Sequence, residues 1–213
     1  LGNYETYVKD MGEYYIDEGS ATSMYSKSHE TTVVKIETEN GIIGWGEAQS
    51  PVSPNTTATI IKDIVEPLTI GKDIYDVESI WHNNYSSKRE RGHYTGFFID
   101  AICGVDIAIW DAIGKSLNMP TCKAMGGAHR KSVALYNGIG GTEPEEVADQ
   151  AEWSVSKGYK FVKMHLKENL EKDIEIARKV RERVGDSVGI MIDVHMGFDT
   201  FNVIKLGKEL EKL

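Results

Sequence analysis

From Val133 onward the chain switches between strand grammar and helix grammar three times, and that rhythm leaves few folds open. Val133-Ala134-Leu135-Tyr136-Asn137 reads as a short strand. Thr142-Glu143-Pro144-Glu145 follows with a capping threonine, an early proline and a capping-box glutamate. Val147, Ala151 and Val155 then give one helical face, closed at Lys157-Gly158. Lys160 to Leu166 is the second strand, and Asn169 caps a helix carrying Leu170, Ile174, Ala177, Val180 and Val184, ended by Gly185. Val188 to His195 makes a third strand, and Asp199-Thr200 opens a last helix. Successive strands joined by helical crossovers run parallel. An open doubly wound sheet and a (β/α) barrel both begin this way, and in either one ligands gather at the carboxyl ends of the strands. Asn137, His165 and His195 all close strands at that end.

Two of those strands carry chemistry. Lys163-Met164-His165 and Asp193-Val194-His195 each place ionisable groups two residues apart, and side chains at that spacing share a face of a strand. The result is a constellation suited to proton abstraction beside a metal ion. Each residue also has a plainer use. A lysine at a strand end can snorkel or form a salt bridge, Asp193 can cap the following turn, and either histidine can be structural. Clustering of ionisable groups favours function. Gly138-Ile139-Gly140-Gly141 is no phosphate loop, because acidic Glu143, Glu145 and Glu146 follow it and no Gly-Lys-Ser/Thr appears. It reads as a flexible βα turn.

The preceding region has α+β grammar. Thr31 to Thr38 alternates as a strand, Glu39-Asn40-Gly41 is a hairpin signal, and Ile42 to Glu47 returns antiparallel. Helices are expected near Thr56 to Val65, Val77 to Tyr85 and Phe97 to Leu117. The last is apolar on nearly every side, which predicts burial between layers, and Asn118-Met119-Pro120 stops it.

A formal charge of −9 over 213 residues argues against a nucleic-acid partner, which needs a basic face. No apolar run has the length of a membrane span, and the polar start Leu1-Gly2-Asn3-Tyr4-Glu5 is unlike a signal peptide. The two cysteines lie apart, Cys103 in an apolar helical run and Cys122 in a loop. A disulfide framework is not expected, and a reducing cytoplasm fits the chain.

Several segments together resemble the enolase superfamily, in its mandelate racemase-like branch. They are the hairpin Val34-Lys35-Ile36-Glu37-Thr38 to Asn40-Gly41-Ile42-Ile43-Gly44-Trp45-Gly46-Glu47, the helix Gly104-Val105-Asp106-Ile107-Ala108-Ile109-Trp110-Asp111 with Gly114-Lys115 and Met119-Pro120, and Gly126-Gly127 with Arg130. The resemblance implies an α+β capping domain over residues 1–127, and the first part of a (β/α)8 barrel, three βα units, over residues 128–213. Members of that family take the proton α to a carboxylate and stabilise the enediolate with Mg2+. Carried onto this chain, the resemblance makes Asp193 a ligand of Mg2+. Lys163 and His165 stand at the family's Lys-x-Lys pair, with His165 in place of the second lysine, and His195 follows the metal ligand by two residues. Asp-x-His at that place is similar to sugar-acid dehydratases acting on galactonate or mannonate. The activity implied is dehydration of an aldonate or aldarate, with racemase, epimerase or cycloisomerase activity as the alternative. A catalytically incomplete carboxylate-binding or structural relative is the alternative of another class. Met24 and Tyr25, in a loop implied to close over the barrel mouth, and Asn137 are the expected contacts to the small carboxylate substrate. A full barrel takes roughly 250 residues, so the resemblance implies truncation after the third strand, and a homo-oligomer or a second chain supplying the rest.

Overall fold

The computed structural model describes residues 7–18, 22–166, 169–195 and 197–213. They fall into two units: residues 10–15 with 24–131, and residues 132–213 with strand residues 7–9, 16–18, 22 and 23. Strands β1 (Tyr7–Met11), β2 (Tyr14–Glu18) and β3 (Thr22–Ser26) form one sheet in that order. Met24 and Tyr25 therefore lie on a strand, where the sequence suggests a loop. Gly12 turns the chain between β1 and β2 at φ 83°, and its N–H donates to Asp10 Oδ1 at 2.8 Å. Lys27 Nζ reaches both oxygens of the same carboxylate, at 2.9 and 2.8 Å.

In the unit of residues 24–131, the expected hairpin is present. Strand β4 (Thr32–Glu37) pairs antiparallel with β5 (Ile43–Ala48), from Thr32 opposite Ala48 to Glu37 opposite Ile43. Gly41 takes the positive φ of 81° that the turn requires, and Thr38 N–H donates to Ile42 O. Helix α1 (Pro54–Ile60) widens into a π turn at Ile61–Val65 before α2 (Glu66–Thr69). Pro67 accounts for the widening, because its ring would clash with the carbonyl four residues back. Helix α3 (Val77–Ser86) leads to the long α4 (Phe97–Ser116) and a short α5 (Thr121–Ala124), which places Cys122 on a helix instead of a loop.

Helix α4 seats directly on the hairpin. A Cβ on Gly44 would stand 2.0 Å from Ala108 O, and one on Gly46 would stand 2.0 Å from Gly104 O. Only glycine allows backbone and helix to approach so closely. Asp111 Oδ2 accepts from Trp45 N–H, and Lys115 Nζ donates to Ile43 O, both at 2.8 Å. These two side chains satisfy β5 backbone groups that β4 leaves unpaired, which blunts the strand edge. Burial of α4 on every side is not met. Ile102, Val105, Ala108, Ile109 and Ile113 are buried, whereas Phe97 and Ile107 are 43% and 48% exposed.

The unit of residues 132–213 is built on strands β6 (Asn137–Ile139), β7 (Phe161–His165) and β8 (Gly189–Asp193), parallel and in that order. Helices α6 (Pro144–Ser156), α7 (Leu170–Val184) and α8 (Thr200–Leu210) follow the strands in turn. Two local expectations shift. The first strand begins at Asn137 and runs through Gly138 and Ile139, which the sequence suggests are a flexible turn. Val133 and Leu135 lie outside it, 72% and 69% exposed. The start of α6 is Glu143 with Pro144 in the first turn, and its cap carries no side-chain hydrogen bond, so Thr142 does not cap. Asn169 does cap α7, accepting from Lys172 N–H at 3.1 Å, and Asp199 caps α8, accepting from Asn202 N–H at 2.8 Å.

Ile139, Val162, Met164, Val147, Ala151, Ile176, Ala177 and Val180 form the buried core between this sheet and its helices. Alternation along β7 then sends Lys163 and His165 to the other face. That alternation positions the site.

Candidate active site

The parallel register puts His165 opposite Asp193 and Lys163 opposite Met191, so Lys163, His165 and Asp193 share one face at the carboxyl end of β7 and β8. Lys163 Nζ meets Asp193 Oδ2 at 2.8 Å, and His165 Nδ1 lies 3.9 Å from the same oxygen. The backbone N–H of His195 donates to Asp193 Oδ1 at 2.9 Å. The rings of His165 and His195 stand edge to face, 6.0 Å between centroids. All four residues singled out by their spacing therefore meet.

His195 arrives there by a different route from the one expected. Strand β8 ends at Asp193, and His195 sits beyond it in the left-handed region at φ 41°. Its ring reaches the cluster through a turn fixed by the Asp193 carboxylate and by Gly197 N–H on Val194 O, not through strand alternation. Such a φ is uncommon for a residue with a Cβ, and asparagine, aspartate and histidine tolerate it best.

Electrostatics follow from this geometry. Hydrogen bonds from Lys163 and from the His195 N–H hold the Asp193 carboxyl down to about 2, well below its ordinary value. The same ion pair pushes the Lys163 ammonium up. Lys163 is thus a fixed positive charge and Asp193 a fixed negative one at neutral pH. Neither is poised to exchange protons while they remain paired.

The other expected contacts have partners of their own. Asn137 pairs in register with buried Val162, so it faces the helix layer. Its Nδ2 donates to Ser154 Oγ at 2.8 Å on α6. The expectation that Asn137 closes a strand at the site is corrected: it starts β6 and points the other way. Met24 is exposed on β3, and Tyr25 stacks on Tyr15 at 5.5 Å between ring centroids, both in the other unit. Tyr136 is the residue that the sequence reading missed. Its ring centre lies 5.8 Å from Lys163 Nζ, a cation–π distance. Its sole signal was an aromatic residue within the first expected strand, Val133 to Asn137. Cys103 is no candidate nucleophile, since burial and the nearby Asp106 and Asp100 push its thiol up.

Asp193 suits Mg2+, being a hard oxygen donor that stays ionised across the neutral range. His165 and His195 do not, because Mg2+ prefers oxygen. Among the four residues, one donor fits that ion. Among the described residues, no helix is long and apolar enough to cross a membrane.

Comparison with known proteins gives a consistent result. The mandelate racemase/muconate lactonizing enzyme N-terminal domain family matches residues 16–126, and the enolase C-terminal domain-like family matches residues 146–213. The arabinonate dehydratase of Saccharolobus solfataricus is 31% identical over 86% of this chain and 50% of its own length. The D-galactarolactone cycloisomerase of Agrobacterium fabrum is 30% identical over 82% of this chain and 47% of its own. A crystal structure of an enolase-superfamily member from Salmonella Typhimurium superposes with a TM-score of 0.78 at 28% identity, covering 85% of this chain and 55% of that one. The chain spans about half the length of the curated relatives it matches. An α+β capping domain followed by the first part of a (β/α)8 barrel, matched in order by both family domains, means that this chain belongs to the mandelate racemase/muconate lactonizing enzyme branch of the enolase superfamily.

Proposed function

We propose that the protein carrying this chain dehydrates a sugar acid, taking the proton α to the carboxylate and expelling the β-hydroxyl. The observation that carries the reading is the meeting of Lys163, His165, Asp193 and His195 on one strand-end face. A carbon acid of this kind is weak, and charge grows on the carboxylate oxygens as its proton leaves. Lys163 supplies positive charge to that carboxylate. His165, exposed at the strand end, is placed to take or return a proton. His195 donates a proton to the departing hydroxyl, since imidazolium is a proton donor and hydroxide leaves poorly unprotonated. Asp193 would hold Mg2+, which when bound supplies further charge neutralisation for the substrate carboxylate. The dehydratase among the relatives supports this choice.

Racemisation or cycloisomerisation shares the first proton transfer, and the cycloisomerase relative favours it as the second reading. Incubation of the full-length protein with aldonates and aldarates separates them. A 2-keto-3-deoxy product supports dehydration, whereas deuterium exchange at the α-carbon without loss of water supports isomerisation. His195→Asn should lower dehydration by about 100-fold or more while leaving α-deuterium exchange measurable. Unchanged dehydration in that variant would remove His195 from the proposed role.

A further inference from the structure

We infer that His165, Asp193 and His195 form a three-donor site for a borderline divalent cation of the Zn2+, Ni2+ or Co2+ kind. The site differs from one for a magnesium ion held through carboxylate oxygen alone. The ligand-capable atoms of the three side chains all lie within 4.8 Å of one another. A four-coordinate ion with bonds of about 2.0–2.1 Å spaces its donors about 3.3 Å apart, so the set must close by at most ~1.5 Å. Rotation about the side-chain torsions supplies that much. His165 and His195 are exposed, Asp193 is half-buried, and none is wedged in the core. The backbone beneath them is already fixed, by the β7–β8 ladder and by the His195 N–H on Asp193.

Donor chemistry selects the ion. Two of the three donors are imidazole nitrogens, which suit zinc, nickel and cobalt, while Mg2+ demands oxygen and dehydrates reluctantly. Three protein ligands leave a fourth position for water or an incoming carboxylate. Lys163 opposes the cation without blocking it. Its Nζ uses one lone pair of Asp193 Oδ2, a carboxylate offers about four such positions, and the ammonium charge repels an ion bound beside it. Removing that charge should therefore tighten binding.

Such an ion would engage both histidines and withdraw them from proton transfer, so it would inhibit the chemistry proposed above. The site itself needs only the three side chains and does not depend on which reaction they catalyse.

The test uses the metals alone, with no sugar acid present. Zn2+ binding to the chain is followed by calorimetry and Co2+ binding by its visible absorption bands, at neutral pH. The variants are His165→Gln, His195→Asn (asparagine tolerates the positive φ at this position) and Lys163→Met, each checked for fold by thermal melting. One Zn2+ should bind per chain, about 100-fold or more tighter than Mg2+. Each histidine variant should weaken it at least about tenfold, and Lys163→Met should strengthen it about threefold or more. A histidine variant that folds and binds Zn2+ like the parent overturns the site, because the ion then sits on other histidines. Displacement of Zn2+ by Mg2+ at equal concentration also overturns it. Should one histidine variant unfold, the other and Lys163→Met still give opposite expected signs. Intact Zn2+ binding in a full-length protein that fails to dehydrate sugar acids would support the site while rejecting the reaction.

Discussion

Asp193 shows how one side chain serves two requirements. Its carboxyl is held at about 2 against an ordinary 3.8. A depressed folded value stabilises the fold above the unfolded value, and that stability is lost as pH falls from about 3.8 through about 2. The raised Lys163 value reports the same ion pair from its other end: stability present below 10.5 and lost as pH climbs past it. Lys163→Met should therefore move the Asp193 carboxyl upward toward 3.8, though not fully, because the His195 N–H still donates to it. A carbon-detected NMR titration of the metal-free chain reads this directly, and a midpoint staying at about 2 would show that Lys163 does not set it. A packing prediction of the same scale concerns Gly46. Its added Cβ would stand 2.0 Å from the Gly104 carbonyl, with no flexible side chain to yield. Gly46→Ala should cost about 2–3 kcal/mol in urea unfolding, and a loss below about 0.5 kcal/mol would mean that α4 shifts freely. The meeting of Lys163, His165 and Asp193 was legible from their spacing, whereas His195 joins them through a turn beyond the strand. Asn137 was misread because shifting a strand's position changes which residues face which side. Tyr136 offered only an aromatic side chain in the first expected strand, since its approach to Lys163 is a contact between elements.

The best-read elements were those with a local chemical signature. The hairpin of β4 and β5 has its Asn-Gly turn, and α7 and α8 have Asn169 and Asp199 at their starts. Asn169→Ala should remove the acceptor of Lys172 N–H and cost about 1 kcal/mol in thermal or urea unfolding, with Asn169→Gly losing only a few tenths. Equal losses for the two would assign the effect to something other than the cap. Thr142 carried a similar signature and does not cap, because the chain enters α6 one residue later, at Glu143 before Pro144. The sheet of β1, β2 and β3 went unread because its strands are five residues each and none alternates strictly between apolar and polar residues, so the period-2 signal is missing. The strand β6 was displaced because Val133, Leu135 and Tyr136 are the more apolar run, yet the ladder pairs Asn137–Ile139 with β7. Hydrophobicity marked the neighbourhood, and pairing fixed the residues.

At the scale of the molecule, the parallel sheet decides how the chain behaves on its own. Its order β6-β7-β8 leaves β6 and β8 each paired on one side among the described residues. Parallel sheets are ordinarily buried and closed, and an unpaired edge is a template for another strand. The outward side of this sheet also carries Phe161, 39% exposed and packed across Gly189, where a Cβ would stand 2.3 Å from its ring. Open edges and apolar surface on one unit predict self-association. The 213-residue chain, produced alone, should show a mass by light scattering that rises with concentration, and no turnover of aldonates or aldarates. Adding a charge where an edge is exposed should suppress the first behaviour without restoring the second. Ile190→Lys is unsuitable because Ile190 packs against the core, whereas Met191→Lys puts the charge on the opposite face of β8, opposite Lys163. A monodisperse, active monomer at high concentration would contradict both expectations together. Association without activity would instead tie catalysis to strands that close the sheet around Lys163, His165, Asp193 and His195.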